Sequence, residues 1–478
     1  MRAVAEAGGP VDLAELLAGV HTLPPGPETV VAVDASALLE GSPDAAFASA
    51  RLRAGTTPVS QLPAEVALVA RGAAGAATGT DPDALARLVA GWAGRESSDV
   101  ETEARRLFVR ETSSGLRPEV WDLVAEHRRA GHTVVLTTSA TRFHVQALAD
   151  DLAVDRVVAT PVDGDGDVLS GELAGPVLDG AAKARAIGRV DVACSADPAD
   201  AALLAVAARP VAVSSGDADP GLPGPRLVCE PRGGPWPGPG EVARTAGFYA
   251  AVAGAASTAA GIGLLRWSRR HVVDLTSSVA GDVGLALAGI DVEVTGAEHL
   301  WSARPCVFVF NHQSKLDVVL MMKLLRGGFT GVAKAEAARI PGWGQMFALA
   351  GVAFVDRGNT AQARDALEPA VRKVRDEGWS LAMAPEGTRS ATPRLGRFKK
   401  GAFHIAMQAG VPMVPIVLHD AGAVMWRGAQ TLRSGTVHVT VLPPVDTSGW
   451  STRTLTAHVD EVRGMFLRTL GQDEGGTR

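Results

Sequence analysis

The sequence predicts an α/β protein built in two halves, and three observations carry that prediction. Short unbroken apolar runs such as Val30–Asp34 and Pro305–Phe310 have the length and the β-branched or aromatic character of strands buried on both faces. Longer stretches of helical pattern separate them. Between the halves, Ser214 to Gly240 is crowded with Pro and Gly and reads as a semi-rigid linker. The 478 residues exceed one comfortable core, and 46% hydrophobic residues are ample for two or three domains.

Composition also bounds the chemistry. Cys194, Cys229 and Cys306 lie far apart without a C-x-x-C spacing, so neither a structural disulfide nor a zinc site is expected, and the thiols suit a cytosolic compartment. Met1 to Val20 lacks a basic cluster followed by an apolar core, which argues against a secretory signal. The net charge of −6 conceals an asymmetry: residues 1–240 carry 20 Lys+Arg against 32 Asp+Glu, and residues 241–478 carry 26 against 20. The second half is therefore the better partner for anionic phosphates and a lipid surface, and no nucleic-acid partner is expected.

In the first half, Val30–Asp34 is a strand ending in a carboxylate, and Thr133–Thr138 is a second ending in hydroxyls; Val190–Ser195 and Pro210–Val213 add two more. The intervening residues, about 41–120, include helical patterns at Pro82–Trp92 and Val100–Glu111 and are too long for a simple crossover, which suits a helical cap. Asp163-Gly-Asp-Gly-Asp167 has Ala174 where a calcium loop needs its bidentate Glu, so a hairpin between Arg156–Thr160 and Val168–Glu172 is predicted instead. The layout resembles the haloacid dehalogenase-like phosphatases of phosphoserine phosphatase type, implying a Rossmann-like fold with a helical cap over residues 1–213. On that resemblance Asp34 matches the nucleophile, Thr138 the second-motif hydroxyl, Lys183 the charge-neutralising lysine and Asp200 one carboxylate of a Mg²⁺-binding loop. Two positions depart from it. Ser36 stands where the acid should be, and Ala196 replaces the other metal-loop carboxylate. A phosphoaspartyl mechanism needs nucleophile, acid and fully ligated metal, so the domain is expected to be inactive, with only a weak claim on Mg²⁺.

Residues 214–243 form the predicted linker and 244–290 a pair of membrane-associating helices. Phe248 to Leu265 is eighteen residues without a charge, followed by Arg266, Arg269 and Arg270. Ten of the eighteen are Ala or Gly, which weakens insertion, and the expectation is a helix dipping into one leaflet with its arginines at the headgroups. Val272–Leu287 would pack beside it.

The second half, residues 291–470, is organised around Pro305-Cys-Val-Phe-Val-Phe-Asn-His-Gln-Ser-Lys-Leu-Asp317. A strand ends at Asn311 and His312, and Val318–Leu325 reads as the following helix, so imidazole and carboxylate share a strand–turn–helix at the edge where open α/β sheets build sites. Ser314-x-x-Asp317 also has the form of a capping box, which would make Asp317 structural. Asn-His-x-x-x-x-Asp resembles the first motif of the glycerolipid acyltransferases, the 1-acylglycerol-3-phosphate O-acyltransferase family. Gly351-Val-Ala-Phe-Val-Asp-Arg357, Ala384-Pro-Glu-Gly-Thr-Arg-Ser390 and Val411-Pro-Met-Val-Pro-Ile416 follow in that family's order.

The resemblance implies His312 as general base and Asp317 as its orienting carboxylate, with Lys334, Arg357, Glu386, Gly387, Thr388 and Arg389 binding the acceptor. A hydroxyl attacking a thioester needs a neutral imidazole to accept its proton, and the acceptor's phosphate calls for guanidinium forks. No cofactor beyond the acyl donor, acyl-CoA or acyl carrier protein, is implied. The fourth motif reads as a strand with edge prolines. The function expected is transfer of a fatty acyl group to 1-acylglycerol 3-phosphate (lysophosphatidic acid), giving phosphatidic acid, by a peripheral or monotopic protein on the cytoplasmic face of the cell membrane. The rival readings are a phosphomonoester phosphatase acting through Asp34 and a non-catalytic lipid-surface scaffold.

Overall fold

The computed structural model describes residues 9–41, 43–55, 57–73, 80–216, 219–230, 238–266, 269–339, 344, 347–348, 351–355, 367–425 and 429–472. Two compact units divide the chain, Met1–Trp236 and Pro237–Arg478.

The first unit is built on the strands β1 (Pro10–Val11), β2 (Val30–Asp34), β3 (Thr133–Thr141), β4 (Arg156–Thr160), β7 (Val192–Ser195), β8 (Arg209–Ser215) and β9 (Arg226–Cys229). They form one parallel sheet in the order β1-β9-β8-β7-β2-β3-β4. The hairpin between them in sequence is β5 (Val162–Asp165) with β6 (Val168–Leu173). Two expectations are corrected here. Arg156–Thr160 belongs to the main sheet, and the hairpin's first strand begins after Pro161. The predicted linker 214–243 contains β9, because Leu227-Val-Cys229 is an apolar run that its Pro and Gly neighbours conceal, and the first unit extends through it. The region between β2 and β3 is helical, as a cap requires: Pro43–Ala54, Leu62–Ala73, Pro82–Ala90 and Ser97–Arg110. Asp81 starts the third of these by accepting from the amides of Asp83 and Ala84, with Pro82 at the first helical position. Phe47, Leu85, Trp92, Val100 and Phe143 bury the cap's apolar faces together.

In the second unit the strands are β10 (Ile290–Thr295), β11 (Val307–Phe310), β12 (Phe329–Lys334), β13 (Ala353–Val355), β14 (Ser380–Met383), β15 (Met413–Leu418) and β16 (Gly435–Val441), ordered β10-β16-β15-β11-β14-β12-β13. All neighbours are parallel except β15 and β16. Alternate residues face opposite layers, as pleating dictates. Phe308, Phe310, Ile416 and Leu418 bury against the helix Asp317–Leu325, while Val307, Val309, Leu381 and Val417 face Phe403, Val371 and Phe466. The prolines of the fourth motif do not mark an edge, since β15 lies between β11 and β16. Pro415 keeps its carbonyl in the ladder, accepting from the Leu442 amide at 2.9 Å, and supplies no N–H in return; beyond it the pairing passes to Met413, whose N–H donates to the Val445 carbonyl at 3.0 Å.

The helix Pro239–Arg266 covers the predicted Phe248–Leu265 and buries Phe248, Val252 and Ala255 in the same core as Leu285 and Ile290. Its partner is the stretch Arg269–Val279 continued through Ala280–Gly284 and Leu285–Leu287. Among the described residues no helix is long and apolar enough to cross a membrane. Gly281 is required by contact, because a Cβ there would lie 2.7 Å from the Lys323 backbone. Phe308, fully buried at the sheet centre, gives the test of this packing: Phe308→Ala should lower stability by about 3–5 kcal/mol, read from urea unfolding of the purified chain.

Candidate active site

The C-terminal end of β11 is held by a side chain rather than by backbone. Asn311 Nδ2 donates to the Leu418 carbonyl at 2.8 Å and its Oδ1 accepts from the Leu418 amide at 2.7 Å, so the amide continues the β11–β15 ladder past the last strand residue. His312 follows with its backbone pinned at both polar atoms: its N–H donates to Glu386 Oε1 at 2.7 Å, and its carbonyl accepts from the Ser390 amide at 2.8 Å. The chain then turns, and Ser314 Oγ fastens that turn to the Met425 carbonyl at 2.5 Å.

Asp317 opens the helix, fully buried, with its Oδ2 2.7 Å from His312 Nδ1. The same oxygen accepts from the amides of Gln313 at 2.8 Å and Ser314 at 3.0 Å. Asp317 reaches back to the Ser314 amide, but Leu316 is the N-cap and Asp317 the first helical residue, so the predicted capping box with Ser314 as its cap is not formed. A carboxylate on Nδ1 makes that nitrogen the donor and leaves Nε2 as the basic one. The imidazole remains 25% exposed, enough for a substrate hydroxyl to meet it.

The third motif is divided in its orientation. Glu386 was expected among the acceptor ligands, yet it is buried, with Oε1 on His312 N and Oε2 accepting from Ser390 Oγ at 2.7 Å and Gly396 N at 2.9 Å. Burial pushes its carboxyl up, against the pull of those three donors. Gly387 needs its φ of +74°, and a Cβ would lie 3.1 Å from the Lys399 side chain. Its amide donates to Ala384 O at 3.2 Å and is not aimed at a ligand. Thr388 is exposed. Arg389 lies half-buried near the dyad: burial lowers its pKa, while the Asp317 charge opposes that. Lys334 is the last residue of β12, two strands from β11 in the sheet, but its side chain lies outside the described residues, as does the whole of Arg357.

In the first unit the expected phosphatase residues cluster at the end of β2, all buried except the partly exposed Ser36. Lys183 Nζ donates to Asp34 Oδ2 at 2.7 Å and to Asp200 Oδ1 at 2.8 Å. Asp34 also accepts from the Ser36 amide at 2.9 Å and from Thr137 Oγ1 at 2.8 Å, so the hydroxyl on this carboxylate belongs to Thr137. Thr138, the expected one, instead accepts from the Ala140 amide, a one-residue change that strand alternation makes decisive. Ser195 Oγ donates to Asp200 Oδ2 at 2.8 Å and lies 3.2 Å from Ser36 Oγ, which in turn accepts from the Ala196 amide at 3.2 Å. Arg117, to which no motif points, is buried with Nη1 on the carbonyls of Ser36 and Ala37, at 2.5 and 2.9 Å.

This donor set does not suit a divalent cation. Ala196 offers no side-chain oxygen, the Ser36 carbonyl is engaged by a guanidinium, and the ammonium of Lys183 already spans the two remaining carboxylates. Among the described residues no group of three His, Cys, Asp or Glu is placed to hold a metal ion. Burial and the neighbouring Asp34 push the Asp200 carboxyl up to about 7 despite Lys183. Burial also works against Asp34, but Lys183 and the Ser36 bonds hold it below the usual carboxylate range.

Comparison with known proteins follows the same division. Residues 36–208 match the family model for haloacid dehalogenase-like hydrolases, and residues 291–419 match that for acyltransferases. A 1-acyl-sn-glycerol-3-phosphate acyltransferase of Limnanthes alba is 34% identical over 209 residues, which are 43% of this chain and 74% of that protein. The 1-acyl-sn-glycerol-3-phosphate acyltransferase alpha of Homo sapiens is 39% identical over 181 residues, 38% of this chain and 64% of its own. The crystal structure of the 1-acyl-sn-glycerophosphate (LPA) acyltransferase PlsC from Thermotoga maritima is 26% identical, covering 49% of this chain and 98% of that one, with a TM-score of 0.42.

The buried carboxylates of the first unit generate a pH prediction. Asp200 holds its proton more tightly folded than unfolded, so its contribution is complete below the unfolded value of 3.8 and is lost as pH rises through about 7. Asp44, pushed up to about 7 chiefly by burial, acts in the same direction, and Asp34 in the opposite one, losing its contribution as pH falls. Asp200→Asn should therefore flatten the decline in stability between about pH 4 and 7 in urea titrations, and Asp44→Asn should flatten it further. An unchanged slope in both variants would remove these carboxyls from the titration.

Proposed function

This chain belongs to the 1-acyl-sn-glycerol-3-phosphate acyltransferase family, and on that premise we propose that it moves a fatty acyl group from acyl-CoA or acyl carrier protein to the free hydroxyl of lysophosphatidic acid. The observation that carries this reading is the 2.7 Å contact of Asp317 with His312 Nδ1, which leaves Nε2 as a base at a partly open sheet edge. As the acceptor oxygen attacks the thioester carbonyl, its proton passes to Nε2. The imidazolium so formed is stabilised by Asp317, and the departing thiolate takes that proton as the new ester bond is completed. Glu386 acts at one remove, by fixing the His312 backbone, and Arg389 supplies positive charge for the acceptor's phosphate.

The setting proposed is the cytoplasmic face of the cell membrane. Tyr249 and Ile262 on the helix Pro239–Arg266, with Val283 and Leu287 after it, are exposed apolar side chains on the elements expected to meet lipid. The first unit is proposed to be catalytically silent, because its acid position is Ser36 and its cation is Lys183.

His312→Ala should lower acyl transfer by about two to four orders of magnitude without loss of fold, followed as thiol release with lysophosphatidic acid. Asp317→Asn should also fall steeply, since the amide cannot enforce the tautomer. Retention of more than about a tenth of the wild-type rate by His312→Ala would overturn the general-base assignment. Arg389→Ala should raise the acceptor's KM by about tenfold to a hundredfold and leave the donor's nearly unchanged; equal effects on both substrates would mark the arginine as structural.

A further inference from the structure

We propose that the first unit carries a lipid-contacting face of its own: the outward side of the cap helix Leu62–Ala73 and of the turn before it, seated at the acyl-chain boundary of a phospholipid bilayer. This rests on the membrane setting proposed above and adds a contact that the second unit does not supply.

The stretch from Val59 to Ala70 contains one charged residue, Glu65. A helix at a water-facing surface turns its charges outward and its apolar stripe inward. Here that order is reversed. Glu65 is 2% exposed, with Oε2 accepting from Thr57 Oγ1 at 2.6 Å and Oε1 lying 3.3 Å from Arg51 Nη2. Arg51 also donates to Gln61 Oε1 and to the Arg87 carbonyl, both at 3.1 Å, so the partner of the acid is itself held in place. Leu68 packs inward with Ala45, Ala48 and Ala84. These anchors fix the rotation of the helix, and Val59, Leu62, Pro63, Val66, Ala67 and Ala70 are left on the outside. Spacings of three and four place them on one stripe. Val59 is 83% exposed, Val66 54% and Leu62 36%.

Size and composition decide what covers this stripe. A stable protein interface engages about 20–30 residues a side, with its energy concentrated in Trp, Tyr and Arg. The stripe offers six residues and none of those three types. A bilayer boundary asks for no shape complementarity and no polar partner, only apolar area without a charge to desolvate. The area is modest, and by itself it would hold a free domain weakly. On a chain already attached to lipid by its second unit, the same contact is effectively intramolecular, and a small area suffices.

The full chain would be labelled with an environment-sensitive fluorophore at Val66→Cys, at Val59→Cys or, as the reference for the second unit, at Leu287→Cys; the three native cysteines are buried. Each is titrated with phosphatidylcholine vesicles, with and without phosphatidylglycerol, whose acyl chains carry a nitroxide quencher. The probes at 59 and 66 should be quenched along with the one at 287, and Val59→Ser combined with Val66→Ser, which removes apolar area without adding charge, should lower vesicle partition by about tenfold. Quenching at 287 with none at 59 or 66 overturns the proposal and leaves the membrane setting intact. No quenching at any of the three removes that setting and the proposal with it. An unchanged partition of the double variant also overturns it. Probes at 59 and 66 that are shielded before lipid is added overturn it as well: shielding that fades on dilution assigns the face to a second copy, and shielding that persists assigns it to another part of this chain.

Discussion

Much of the second unit's site depends on one oxygen atom. Asp317 Oδ2 receives the imidazole and two consecutive backbone amides, so the tautomer of His312 and the path of the turn that presents it are set by the same charge. That economy has a physical requirement. A carboxylate fully removed from water is stable only when donors surround it, and the turn provides three within five residues. The surrounding elements keep the geometry from relaxing. Glu386 and Ser390 hold the His312 backbone from the loop after β14, while Met425 holds Ser314 from beyond β15. The dyad is local in sequence, but its rigidity is borrowed from segments 74 and 111 residues later.

The first unit shows how the same class of sheet edge behaves when its chemistry is altered. Its carboxylates converge as they would for phosphoryl transfer, but an ammonium bridges them and a guanidinium takes the neighbouring carbonyl. A lysine is a compact cation and can neutralise the pair, yet unlike a metal it has no further coordination position to offer a substrate. The Ser36, Ser195 and Asp200 hydrogen bonds close the remaining space with protein donors. Complete burial of Lys183 and Asp200 fits a fold-stabilising cluster that retains the layout of a site.

The α/β class, both sheets and the pairing of His312 with Asp317 were legible in the sequence because each rests on a local rule: apolar run length, strand-end polarity, and the spacing of a strand–turn–helix. What escaped depended on orientation or on noise in composition. Four strand residues ending at Cys229 were hidden by the surrounding Pro and Gly. Thr137 rather than Thr138 reaches Asp34, a difference of one step in a period of two that no pattern of hydroxyls decides. A motif names Glu386 but not which way it points, and burial turned it toward the histidine's backbone. Arg117 carries no motif at all, and only its neighbours in space give it meaning.

Asn311 shows what kind of constraint a motif letter can record. Its side chain presents a donor and an acceptor to the Leu418 carbonyl and amide at once, standing in for a peptide group. Aspartate has the shape but would oppose oxygen to oxygen, leucine would leave both backbone groups unpaired, and glutamine would overreach by a methylene. The identity of this residue is thus written by the adjoining strand. An asparagine beside the proposed catalytic histidine can be read as a reporter of sheet register, and its replacement would misplace the imidazole without altering it.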